Sequence, residues 1–119
     1  MELLRWHHFG IEVSSLPRSK YFYKHFFNCE IETELHDKGE DAVFMKNGEV
    51  RIELVSPAGG SAGNTGSHLA IEVTALAVWV KNLKSKGLEP VEGPLRIKNY
   101  CTVFYQGPDE ELIEVIEVS

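Results

Sequence analysis

His8–Leu16 reads HFGIEVSSL and His68–Leu76 reads HLAIEVTAL, so His, Ile, Glu, Val and Leu recur at a constant offset of 60. A second pair follows one residue out of step: Ile52-Glu53-Leu54-Val55 against Ile113-Glu114-Val115-Ile116. The chain is therefore an internal repeat. Each half opens on a segment carrying a histidine and closes on a segment carrying a glutamate. Two imidazoles and two carboxylates set by one repeat are the elements of a divalent-metal site.

Working outward, Trp6–Val13 alternates, with Phe9, Ile11 and Val13 on one face and His8, Gly10 and Glu12 on the other. That is the period-two pattern of a strand. Ser14, Ser15 and Pro17 supply a helix start, and Phe22, Tyr23, Phe26 and Phe27 make one apolar stripe. Asn28 is a helix stop. Strands follow over Glu30–His36, Asp41–Lys46 and Glu49–Val55, with Asn47-Gly48 read as a two-residue hairpin turn. The second half repeats the order. His68–Val73 is a strand, Leu76, Val80 and Leu83 mark a helix closed by Gly87, and Glu89–Glu92 is a short strand. Gly93–Asn99 is read as a loop with basic Arg96 and Lys98. Tyr100–Gln106 and Glu111–Val118 are strands around a Gly107-Pro108-Asp109 turn. The expected fold is one α+β domain over residues 1–119, built of two βαβββ modules. They run from about 5 to 55 and from 67 to 118, joined by a flexible Gly-rich linker over 56–67.

Composition sets the outer limits. A chain of 119 residues with 43% apolar residues has enough for a real core and too few residues for two independent ones. A net charge of -6 with no basic tract argues against nucleic-acid or anionic-membrane binding. No run approaches the roughly 18 apolar residues of a membrane span. Glu2, His7 and His8 interrupt any apolar N-terminal run, so no signal peptide is read and the cytoplasm is the expected compartment. Cys29 and Cys101 lie far apart and read as packed, reduced thiols.

The paired modules, the HFGIEV opening, the Pro108-Asp109 turn before ELIEVIE and the four His and Glu positions resemble the vicinal oxygen chelate superfamily over about Trp6–Glu117. Its members include glyoxalase I, methylmalonyl-CoA epimerase, extradiol dioxygenases and fosfomycin-resistance transferases. The resemblance implies two curved four-stranded sheets closing into an incomplete barrel, with one divalent metal per site held by His8, Glu53, His68 and Glu114. The strand alternation agrees independently, since all four positions fall on the face opposite the apolar residues. The donor set suits Ni, Zn, Co, Mn or Fe, and leaves two octahedral positions for vicinal oxygens of a small-molecule substrate.

A lone strand histidine is usually only polar or half-buried. Glu53 and Glu114, however, sit among Ile, Leu and Val, where a carboxylate is rare unless paired or metal-bound. Glu12 and Glu72 repeat too, but read as solvated strand ends. His7 is expected to point away from His8, and His25 and His36 to lie on the surface. Tyr100, Tyr105, Arg96 and Lys98 are read as packing or surface residues rather than substrate contacts. Glutamate in the second ligand slot, Glu53, is what glyoxalase I has, whereas methylmalonyl-CoA epimerases place Gln there. The expected function is a glyoxalase I-like lyase or isomerase acting by proton transfer, with Glu114 the base, Glu53 its partner, and glutathione or another thiol a candidate co-substrate. Epimerase, dioxygenase or thiol-transferase chemistry, and non-catalytic binding of a small molecule or antibiotic, stay open. A homodimer is expected, because two modules can pair within a chain or between chains and open sheet edges gain by being covered.

Overall fold

The computed structural model describes residues 3–37, 39–57 and 68–119. Most of the expected linker (58–67) and Lys38 lie outside them. The chain divides into two compact units, Met1–Gly63 and Asn64–Ser119. Each is a four-stranded mixed sheet with one helix, so the α+β class and the two βαβββ units stand as the repeat implied.

The first unit runs β1 (Phe9–Glu12), α1 (Leu16–Phe27), β2 (Glu30–Asp37), β3 (Glu40–Asn47) and β4 (Val50–Ser56). Its sheet order is β1-β4-β3-β2, with β1 parallel to β4 and the other pairs antiparallel. The second unit runs β5 (His68–Glu72), α2 (Leu76–Ser85), β6 (Glu92–Ile97), β7 (Tyr100–Gln106) and β8 (Leu112–Val118), in the equivalent order β5-β8-β7-β6.

The alternation read from the sequence becomes burial on the helix side. Ile11, Val13, Ile52 and Leu54 are each at most 2% exposed and pack with Phe22, Tyr23 and Phe27 of the α1 stripe in one core. Val103, Tyr105, Ile113 and Val115 are at most 1% exposed in the second unit. β4 lies inside its sheet, where Leu54 faces Ile11 on one side and Val43 on the other. Leu54→Ala should therefore lower the unfolding free energy by about 2–5 kcal/mol in a urea titration. Val78→Ala, at an exposed helical position, should move it by less than about 0.5 kcal/mol.

The helix starts differ between the halves for a reason visible in the residues. Ser15 caps α1, its Oγ accepting from the Arg18 N–H at 3.3 Å, with Pro17 in the first turn. Ala75 stands sixty positions on and has no side chain to offer. There the Leu76 N–H donates instead to Glu117 Oε1 of β8 at 2.8 Å. Asn28 ends α1 in the left-handed conformation at φ 56, and Gly87 follows α2 at φ 92, as both were read.

Two local readings are corrected. The first hairpin loop is Gly48-Glu49, one residue later than expected, because Asn47 still pairs with Val50 while its Nδ2 donates to the Phe27 carbonyl at 2.9 Å. The expected strand over Glu89–Glu92 and loop over Gly93–Asn99 are instead the strand β6, Glu92–Ile97. Gly93 and Pro94 hid it, since both argue against a strand interior. The register shift between Glu92 and Leu95 absorbs them, and pairing resumes at Leu95–Thr102. No helix among the described residues is long and apolar enough to cross a membrane.

Candidate metal centre

Parallel pairing of the opening and closing strands brings each histidine to its glutamate. Gly10 is the register partner of Glu53, and Ala70 that of Glu114. A residue two positions before the partner shares its face, and those residues are His8 and His68. His8 Nε2 stands 3.3 Å from Glu53 Oε1, and His68 Nε2 stands 3.2 Å from Glu114 Oε1. The repeat thus builds the same pair twice.

Each pair rests on an aromatic wall that also repeats. Phe44 and Phe104 are the antiparallel partners of Glu53 and Glu114. The His8 ring meets Phe44 edge-on at 5.0 Å and the His68 ring meets Phe104 at 6.0 Å. The glutamate side chains are more withdrawn than the imidazoles, 23% and 15% exposed against 32% and 48%. A carboxylate flanked by apolar strand residues and an open imidazole beside it form a polar patch facing away from the core.

The spacing fits a shared cation. Two ligand atoms at about 2.0–2.1 Å from one ion lie roughly 2.8–3.4 Å apart between octahedral and tetrahedral geometry. Both measured separations fall inside that interval. Each unit holds one such pair, and no group of three or more His, Cys, Asp or Glu able to hold a metal ion forms among the described residues.

Two residues beyond the four complete this picture. His7 does not point away from His8, as alternation required; its Nδ1 lies 2.8 Å from His8 Nδ1. Alternation failed for His7 because β1 begins only at Phe9; His8 adjoins the strand and keeps its face, whereas His7 lies one residue further out. The contact holds the His8 ring by its Nδ1 while its Nε2 faces Glu53, and a hydrogen bond at the far nitrogen is what orients an imidazole. The adjacent histidines were the signal for it. Thr102, only 6% exposed, donates its hydroxyl to Glu114 Oε2 at 2.6 Å. Ala42 occupies the equivalent place sixty positions earlier, so the two glutamates are held differently.

The remaining sequence candidates take bland roles. Glu72 is exposed, and Tyr105 is wholly buried in the core. His25 stacks on Tyr21 at 5.2 Å at the surface, and exposed His36 pairs with Asp41 at 2.8 Å. Both cysteines are free thiols. Burial pushes the Cys29 thiol up to about 11. Glu111, unremarked in the sequence, is 3% exposed and shapes the Pro108-Asp109 turn. Its Oε1 accepts from the Asp109 N–H at 2.8 Å, and a Cβ on Gly107 would run into its carboxyl group.

Known proteins resemble the chain in sequence and in fold. The chain is 29% identical over 94 residues to the mitochondrial methylmalonyl-CoA epimerase of Bos taurus, covering 69% of this chain and 54% of that protein. It thus spans about half the length of that relative. TnmS3, an antibiotic binding protein from Streptomyces sp. CB03234, has a similar structure, with a TM-score of 0.84 and 16% identity over 100% of this chain and 99% of the other. The fosfomycin resistance protein FosX from Listeria monocytogenes gives a TM-score of 0.78 and 16% identity, covering 99% and 96%. At such identities the two structures establish the fold alone. The family model matches residues 5–115, which carry both His–Glu pairs, and the chain belongs to the Glyoxalase/Bleomycin resistance protein/Dioxygenase superfamily.

Proposed function

We propose that this chain is a metal-dependent enzyme that moves a proton on a small substrate with vicinal oxygens, in the manner of a glyoxalase I-like lyase or isomerase. The observation that carries this reading is the duplicated His–Glu pair at ligand spacing, 3.3 Å and 3.2 Å. His8, Glu53, His68 and Glu114 together hold one divalent transition ion per site, of the Ni, Zn, Co, Mn or Fe(II) class. When bound, the ion supplies Lewis-acid stabilisation of the negative charge that develops on the substrate oxygens.

The chain's own residues do the rest. His8 and His68 present Nε2, His8 braced from behind by His7. Glu114 is the base. Thr102 holds its Oε2, leaving Oε1, the oxygen that faces His68, to take and return a proton when it is free of the ion. Glu53, without an equivalent hydroxyl, is the partner carboxylate. Similarity to an epimerase supports the same step, because epimerisation beside a carbonyl also removes and returns a proton. Acyl-CoA thioesters therefore join hemithioacetals of glutathione, or of another small thiol, as candidate substrates.

The four residues form a site either within one chain or between two copies, and we infer a homodimer with shared sites. Mixing a His8→Ala chain with a Glu114→Ala chain decides it. Shared sites restore one intact site per heterodimer; sites confined to one chain restore none. A monomer by light scattering at micromolar concentration overturns the dimer. The function itself is tested on protein purified without chelator. About one transition metal per site is expected, with turnover of methylglyoxal plus thiol, or epimerisation of a small acyl-CoA, in the Ni, Co or Zn form. If every metal form is inert across that panel, the reading gives way to non-catalytic small-molecule binding.

A further inference from the structure

The second unit contains a groove beside its helix, and the residues at the equivalent positions of the first unit differ in chemistry. A cavity of about 500 Å3 lies beside α2, lined by Leu76, Ala77, Val80, Pro94 and Cys101 and by Lys81, Lys84, Arg96 and Glu117. It sits on the helix side of the sheet, whereas the His68–Glu114 pair is on the opposite face. In the first unit the equivalent place, sixty positions earlier, carries two polar side-chain contacts. Lys20 meets Glu34 at 3.4 Å, and His36 meets Asp41 at 2.8 Å. The corresponding residues in the second unit are Val80 with Pro94, and Arg96 with Cys101. Register is kept, since His36–Asp41 and Arg96–Cys101 are both strand partners.

The replacements change the chemistry in one direction. Where the first unit has the Lys20–Glu34 ion pair the second has an apolar wall, and where it has the His36–Asp41 contact the second has an arginine and no acid. Among the described residues, none of Lys81, Lys84 and Arg96 is in an ion pair. The lone acid, Glu117, is committed to the Leu76 N–H at 2.8 Å. An apolar groove rimmed by three unpaired cations, on a chain whose net charge is -6, is locally opposite in sign to the molecule around it. Its volume is that of a small-molecule site.

We propose that this groove binds an amphipathic small-molecule anion, with an apolar body against Val80, Pro94 and Cys101 and an acidic head among Lys81, Lys84 and Arg96. It is a second site, separate from the proposed metal centre.

Cys101 provides a reporter inside the groove. It is half-buried, while Cys29 is only 3% exposed and its thiol is pushed up to about 11, so alkylation by neutral iodoacetamide reads Cys101. The full chain is alkylated with decanoate, or with decanol as the uncharged match, and Cys101 labelling is followed by mass. Decanoate should protect in a saturable way, slowing labelling about tenfold once it stands ten times above its Kd. Decanol should need about tenfold more, and the Lys81→Gln/Lys84→Gln/Arg96→Gln variant should raise the half-protecting decanoate concentration by a similar factor. Circular dichroism confirms that the variant is folded, its three sites being exposed. Absent protection below the micellar limit, equal protection by decanol, or unchanged protection in the variant each overturns the proposal.

Discussion

Glu114→Gln should lower kcat by about 10²–10⁴-fold, the usual contribution of a positioned general base, in protein that still binds metal. Gln keeps the shape of the side chain and an oxygen able to meet the Thr102 hydroxyl, now 2.6 Å away. It removes the negative charge and with it the capacity to accept a proton. Glu53→Gln should cost less, about tenfold to 10²-fold, because the partner carboxylate tunes the site without taking the proton. Metal content is measured on each variant, so a loss of the ion is not mistaken for a loss of the base. If Glu114→Gln holds both its metal and its kcat to within threefold, the proton goes elsewhere. If Glu53→Gln falls further, the two glutamates exchange roles.

How far this much could be read without coordinates depends on which residues obey a period. Ile11, Val13, Ile52 and Leu54 announced their face by alternation, and burial followed. His8, Glu53, His68 and Glu114 inherited the opposite face from the same pattern, and parallel pairing of β1 with β4 and of β5 with β8 set His8 beside Glu53 and His68 beside Glu114. Nothing periodic marked His7, because it precedes the strand that would have fixed its direction. Thr102 was hidden for another reason. It sits on β7 among residues buried at 0%, where a threonine reads as packing, and its bond to Glu114 depends on the register between two strands. β6 was missed because Gly93 and Pro94 are breakers by composition, and only the bulge beside Leu95 lets the ladder continue past them. Local chemistry was therefore legible where the repeat enforced it. It was lost where one half had diverged from the other.

His8→Ala and His68→Ala should each reduce affinity for a divalent transition ion by at least about 100-fold. Loss of a residue that merely orients a ligand typically costs 10–100-fold, and loss of the ligand itself removes a donor as well. The two need not weaken equally. His8 is clamped between the His7 imidazole at 2.8 Å and the Phe44 ring, and is the less exposed of the pair. His68, 48% exposed, has its Phe104 wall and its glutamate. A preoriented donor contributes more, so His8→Ala should be the costlier change. His7→Ala should show the cost of orientation alone, about 10–100-fold. His25→Ala and His36→Ala, on the surface and away from either pair, should leave the ion in place. Competition with a chromogenic chelator gives the affinities, and elemental analysis of the unchelated protein gives the stoichiometry. Full retention of metal in both His8→Ala and His68→Ala would remove the metal centre, and the His–Glu contacts would then be plain hydrogen bonds across two parallel strand pairs.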